Sequence, residues 1–174
     1  MNQEVNPGPA QIPKVLIVCD QSDTAPVWGY ILRQQGLIVI LITSVEKAMD
    51  RWTTEIPDLV VIDITAAQGD PVELCRKFRE LSGAPLLLIL PTHHETQILE
   101  AYAAGVDEVA IKPISPAIFL AKIQAWIRHS WIVSAEGLNH VKADKHRLDL
   151  ARRCLLIPAG KEIRLTSLEF RLLL

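Results

Sequence analysis

No apolar run in this 174-residue chain approaches the roughly 18 residues that cross a bilayer, which excludes a simple membrane-spanning helix. The opening, MNQEVNPGPAQIP, has no basic stretch followed by an apolar core, so it does not read as a secretory signal. Its Pro, Gly, Asn and Gln content makes residues 1–13 an expected disordered leader. Cysteine is scarce. Cys19, Cys75 and Cys154 are odd in number and widely spaced, which excludes a disulfide framework and a metal-binding cysteine motif. Reduced thiols and a cytoplasmic location are the expectation. No Gly-rich phosphate loop follows the first apolar run, where CDQSDT stands, so a nucleotide- or flavin-binding enzyme has no support. Nor is there an internal repeat or a low-complexity segment.

What is present is core-forming sequence. The apolar fraction is 49%, enough for a substantial interior. Net charge is −2 but unevenly placed: residues 140–174 carry eight Lys/Arg against four Asp/Glu, whereas the rest of the chain is acidic. A basic C-terminal piece on an acidic body favours a polyanionic partner for that piece.

The pattern from Lys14 onward alternates apolar runs of strand length with helix-like segments. KVLIVC (14–19), LIVILIT (37–43), DLVVIDI (58–64), PLLLIL (85–90) and Val106–Ile111 read as strands. Residues 24–35, 44–54, 70–81, 94–104 and 115–131 read as helices. Ser44, Asp70 and Ser115 are expected N-caps, with Pro71 and Pro116 at first helical positions. Strand then helix, five times over, predicts a parallel sheet with right-handed crossovers. At this length the flavodoxin-like (βα)5 order 2-1-3-4-5 fits best. In that order Asp20 and Asp63 close adjacent strands at the sheet's C-terminal edge, and Lys112 emerges on the same edge. Ligands of open α/β sheets bind outside the carboxyl ends of the strands. Two carboxylates that close repel unless a cation joins them, and oxygen ligands of this kind suit Mg2+. The bland alternative is a surface ion-pair cluster.

After the fifth helix the text turns polar, and residues 132–145 read as a linker. HRLDL, RCLLI and KEIRL then form three short strand-like runs, an expected small antiparallel piece, with Pro158-Ala159-Gly160 as a turn. Thr166 and Glu169 make a capping box that opens a helix.

DLVVIDI, AGVDEVAIKPISP and LTSLEFRLLL, in that order, resemble bacterial response regulators of the OmpR/PhoB type. The resemblance covers residues 14–131 as a receiver domain and 146–174 as the first part of a winged-helix DNA-binding domain, incomplete as a fragment or by truncation. It implies that Asp63 is the phosphoacceptor, a nucleophile toward a phosphohistidine on a sensor histidine kinase. It implies that Asp20, Asp63 and the backbone carbonyl of Thr65 hold Mg2+, and that Lys112 pairs with the phosphoryl group. The side chain of Thr65 is not needed in that role. Further implications are DNA binding through a full-length effector domain, no enzymatic activity of its own, and a homodimer. Asp107, Glu108 and Lys122 match charged positions of the family's dimer interface, although Ile118 replaces an acid there.

Several residues depart from the family pattern. Cys19 stands in place of one acid of the acidic pair, which predicts weak Mg2+ binding. Leu90 stands where the switching Thr or Ser belongs, and Val109 where the switching aromatic belongs. Thr92 would take the hydroxyl's place only if the register slipped by two. The expected function is therefore a transcriptional response regulator in phosphorelay signalling with a degenerate switch. The alternative is a phosphorylation-independent pseudo-receiver acting as an interaction and dimerisation module. The neighbours His93 and His94 do not face one ligand, so metal binding there is set aside. Trp126 and Trp131 read either as the core face of the fifth helix or as a binding stripe.

Overall fold

The computed structural model describes residues 12–132, 140–143, 146–149, 154–157, 162–165, 169 and 172–173. The apolar runs become β1 (Lys14–Cys19), β2 (Ile38–Ile42), β3 (Leu59–Asp63), β4 (Leu86–Leu90) and β5 (Glu108–Ile111). They form one parallel sheet in the order β2-β1-β3-β4-β5, the flavodoxin-like order expected. The helices between and after them are α1 (Thr24–Gln34), α2 (Val45–Glu55), α3 (Pro71–Leu81), α4 (Glu95–Ala103) and α5 (Pro116–Ile132). None of the described helices is long and apolar enough to cross a membrane.

The strand residues alternate between two cores because successive side chains leave opposite faces of a sheet. Leu16, Val18, Val60, Ile62, Leu86, Leu88 and Leu90 pack with Cys75 and Phe78 of α3 and Ala101 of α4. Val15, Ile17, Leu59, Val61, Leu87 and Ile89 pack with Trp28 and Leu32 of α1 and with Phe119, Ile123 and Ile127 of α5. Trp126 is partly buried against this second core, so it belongs to the core face of α5. The Trp131 side chain lies outside the described residues.

The helix boundaries follow local chemistry. Asp70 caps α3, its carboxylate accepting from the Val72 N–H at 2.9 Å, with Pro71 at the first position. Ser115 accepts from the Ile118 N–H at 3.3 Å. Ser44 occupies the N-cap position of α2 as expected but makes no side-chain cap bond. The strained point is Ile56, which closes α2 at φ 44° with 80% of its surface exposed. A β-branched residue in the left-handed region costs about 1–2 kcal/mol, and Pro57 directly after it stops the helix from continuing.

Opposite the carboxyl edge, Arg79 ties three segments together. Its guanidinium donates to the carbonyls of Ser82, Ala84 and Gly105 and lies 2.6 Å from the Asp107 carboxylate. Asp107 also accepts from the Leu86 N–H at 2.9 Å, at the start of β4. A Cβ on Gly105 would meet Arg79 Cγ at 2.8 Å, and Gly105 sits at φ 92°, so glycine is needed there twice over. This corrects the expectation for Asp107. Its side chain is only 4% exposed and is held within the chain, so it is not a surface charge for a dimer interface.

The C-terminal part also differs from expectation. Within residues 132–145, read as a linker, His140–Ala143 is a strand (β6), and α5 runs on to Ile132. It pairs antiparallel with β7 (His146–Asp149), followed by β8 (Cys154–Leu156) and β9 (Glu162–Arg164), giving four strands rather than three. The proposed leader up to residue 11, the Pro158–Gly160 turn and Thr166 of the capping box lie outside the described residues.

Removing one partner of a buried ion pair leaves the other uncompensated. Asp107→Ala is therefore expected to destabilise the fold by about 3–5 kcal/mol, read as a lower urea midpoint at unchanged slope.

Candidate functional site

β1 and β3 are neighbours in register, with Cys19 opposite Asp63. This places the last residues of both strands side by side at the carboxyl edge. Asp63 closes β3 with 1% of its surface exposed. Lys112 follows β5, and its N–H bonds the Leu90 carbonyl at 2.9 Å. Its ammonium reaches past the end of β4 to Asp63 Oδ1 at 2.6 Å. The peptide bond from Lys112 to Pro113 is cis.

Around this pair the structure adds a residue that sequence reasoning missed. Gln21 donates from its side-chain amide to Asp63 Oδ1 at 3.3 Å. Being uncharged, it left no mark in the pattern of acids and bases. Cys19 lies on the other carboxylate oxygen, its sulfur 3.8 Å from Asp63 Oδ2 and 3.8 Å from the Gln21 carbonyl. Burial pushes the Cys19 thiol up to about 11; the Gln21 backbone partly offsets this, and the Asp63 carboxylate raises it further. The sulfur is thus a neutral thiol at physiological pH, contributing no negative charge and only a weak donor.

Asp20 points elsewhere. Both its oxygens accept from the Thr65 N–H, at 3.1 and 3.0 Å, and the Thr65 hydroxyl bonds Asp20 Oδ2. Thr65 was expected to matter only through its carbonyl; its N–H and hydroxyl in fact tie the loop after β3 to the end of β1. The hard oxygen donors of the edge are therefore two carboxylates, Asp20 and Asp63. That set is compatible with Mg2+, which takes one or two carboxylates and keeps several waters. Among the described residues no group of three or more His, Cys, Asp and Glu side chains is placed to hold a metal ion.

The remaining predicted positions are located as follows. Leu90 is the last residue of β4, paired with Ile111 and completely buried, so the strand register is the one expected and Thr92 lies beyond the strand, exposed. Val109 pairs with Leu88 and packs, partly buried, on the α3/α4 core. Glu108 and Lys122 form an ion pair with each other. His93 and His94 are both exposed at the start of α4.

Residues 15–124 match the family described as "Response regulator receiver domain". The chain is 29% identical over 160 residues to the KDP operon transcriptional regulatory protein KdpE of Escherichia coli (strain K12), covering 91% of this chain and 70% of that protein. It is 26% identical over 168 residues to the phosphate regulon transcriptional regulatory protein PhoB of Rhizobium meliloti (strain 1021), covering 93% and 71%. Among solved structures, a two-component response regulator from Clostridium difficile superposes with a TM-score of 0.64 at 28% identity, covering 67% of this chain and 96% of that one. A CheY-like receiver domain protein from Methanospirillum hungatei JF-1 gives 0.65 at 22% identity over 68% and 95%, a likeness of fold. With a family match over most of the parallel sheet and relatives that are transcriptional regulators of the OmpR/PhoB kind, the chain belongs to the response regulator receiver-domain family.

Proposed function

We propose that this chain is the receiver-bearing part of a cytoplasmic transcriptional response regulator, with Asp63 as phosphoacceptor for a sensor histidine kinase and the basic C-terminal piece as the start of a DNA-binding effector domain. The observation that carries the reading is the 2.6 Å contact between Lys112 and Asp63 at the ends of β5 and β3. A carboxylate nucleophile needs a positioned phosphoryl donor and neutralisation of the charge that gathers on the transferred group. Lys112 supplies one positive charge, and the Gln21 amide supplies a neutral donor. Asp20, Asp63 and the Thr65 carbonyl are the groups that would hold Mg2+. Bound there, the ion would supply further neutralisation of the phosphoryl oxygens. The assigned part in this scheme is phosphate acceptance, not turnover of a substrate.

Coupling of that event to the rest of the domain is weak in this reading. A phosphoryl group shifts a conformation only through contacts that differ between two states. Leu90 offers a buried alkyl group where a hydroxyl would meet phosphate, and Val109 has no ring to move between positions. Reversing a 1:99 equilibrium takes about 5.5 kcal/mol of differential binding, and one hydrogen bond to a charged group is worth roughly 1.5–3 kcal/mol of it. Loss of that bond together with an aromatic repacking removes most of the switch. The same features support the second reading, a pseudo-receiver that works by association alone. Leu99 and Tyr102 of α4 and Ile118 of α5 are 61%, 49% and 54% exposed, an apolar surface that favours a homodimer.

Three measurements test these readings. Cys19→Asp adds an acid beside Asp63 and is expected to tighten Mg2+ binding at least several-fold in a metal titration, since affinity follows ligand charge and number. Unchanged affinity would remove Cys19 from the metal site. The amide NMR spectrum with Mg2+ is expected to change on adding beryllofluoride only near Asp20, Asp63 and Lys112. Shifts spreading through α4 and β5 would show a working switch, and Asp63→Asn abolishes any response. Sedimentation at micromolar protein is expected to give a dimer with and without a phosphodonor; a monomer in both conditions contradicts the association reading.

A further inference from the structure

β2 stands at one end of the parallel sheet, with β1 on one side and no described strand on the other. Ile38 donates its N–H to the Pro13 carbonyl at 2.9 Å, and the pairing with β1 runs from Lys14 and Ile38 to Val18 and Ile42. In a parallel strand the N–H and C=O of one residue point to one side and those of the next residue to the other. Ile38, Ile40 and Ile42 therefore bond β1, and Val39 and Leu41 turn their backbone groups outward. The Arg33 guanidinium marks that direction, since it reaches the Val39 carbonyl from α1 at 3.3 Å.

An open edge of this kind is a template for pairing with another chain, and charged residues or proline ordinarily blunt it. Residues 37–43, LIVILIT, hold neither. The opposite edge strand is guarded: β5 opens on Glu108, which is paired with Lys122, and Lys112 and Pro113 follow it. The surface beside β2 is apolar as well. Val27 and Tyr30 are 47% and 65% exposed and precede Arg33 at helical spacing on α1, hence on the face that reaches the β2 edge. Ile38 is itself 44% exposed.

We propose that β2 is an interface between two copies of this chain, which pair through it antiparallel about a two-fold axis at Ile40 and join their parallel sheets into one. In that register Val39 of one copy lies opposite Leu41 of the other, so the outward backbone groups of both residues exchange hydrogen bonds. Ile40 then lies opposite itself, and Ile38 opposite Ile42. The strand Ile-Val-Ile-Leu-Ile reads nearly the same in both directions, so the axis sets aliphatic side chains against their like. It carries no charge, and identical copies therefore meet without like charges opposed. A two-fold interface uses the same patch on both partners and must be self-complementary. This strand meets that condition, which favours a second copy over a foreign strand. The surface is separate from Leu99, Tyr102 and Ile118 on α4 and α5, and pairing through it does not depend on phosphorylation of Asp63.

Two cysteine substitutions in the full chain, without phosphodonor, locate the register. Residues opposite one another in a non-hydrogen-bonded antiparallel pair have Cα atoms about 4.5 Å apart, within the roughly 4.4–6.8 Å that a disulfide spans. Ile40→Cys is therefore expected to give a covalent dimer under mild oxidation. Ile38→Cys is expected to give little more than the unsubstituted chain, because its two copies stand about 13 Å apart at about 3.4 Å per residue. Cys19, Cys75 and Cys154 are buried, so the unsubstituted chain serves as the control. In that chain, amide hydrogen exchange at Val39 and Leu41 is expected to slow as protein concentration rises. Ile38→Lys puts an edge-guarding charge at an exposed position and is expected to weaken the dimer about tenfold or more in sedimentation. A dimer held by α4 and α5 would not respond to it. Equal yields from the two cysteine variants, exchange at Val39 and Leu41 that ignores concentration, or association indifferent to Ile38→Lys would each overturn the proposal.

Discussion

A carboxylate with 1% exposure at the end of an apolar strand is the constraint around which the site is arranged. Burying a charge is costly unless it is paired and hydrogen-bonded. Asp63 meets that condition through groups from two other strand ends: Lys112 from β5, and Gln21 with Cys19 from β1. Only a sheet in which β3 lies between β1 and β4 brings both sets within reach. The apolar interior of the sheet and the polarity of its edge are therefore one arrangement, in which long runs of Val, Ile and Leu carry the chain to the edge and each stops at a residue with a task.

The loop after β3 is held by a different means. Asp20 does not turn toward Asp63 but bonds the backbone and hydroxyl of Thr65. The two acids of the edge are thus divided between two partners, Lys112 for one and Thr65 for the other. This lowers their mutual repulsion. A neutral thiol at Cys19 contributes in the same direction, since a third negative charge is missing from the edge.

Most of the parallel sheet could be read from sequence because its strands are apolar runs bounded by Pro, Gly and helix caps. The register of β4 followed from Pro85, and Leu90 lies where counting placed it. Asp20, Asp63 and Lys112 could be read as charges at strand ends. Gln21 and the Thr65 hydroxyl could not, because neutral side chains that act by hydrogen bonding depend on rotamers and on partners more than forty residues away in sequence. Asp107 was misread for a related reason. Charge at a strand start does not reveal whether the side chain turns outward or back to an arginine on a distant helix. The strand β6, HVKA, carries no alternation strong enough to distinguish it from a polar connection, and its strand character comes from pairing with β7.

The Arg79 cluster has a mechanical meaning. It fastens the C-terminal end of α3 and the entries of β4 and β5 at the edge opposite Asp63. One guanidinium and one carboxylate therefore serve both strand entries at once, so a change at Arg79 or Asp107 would loosen the starts of β4 and β5 together.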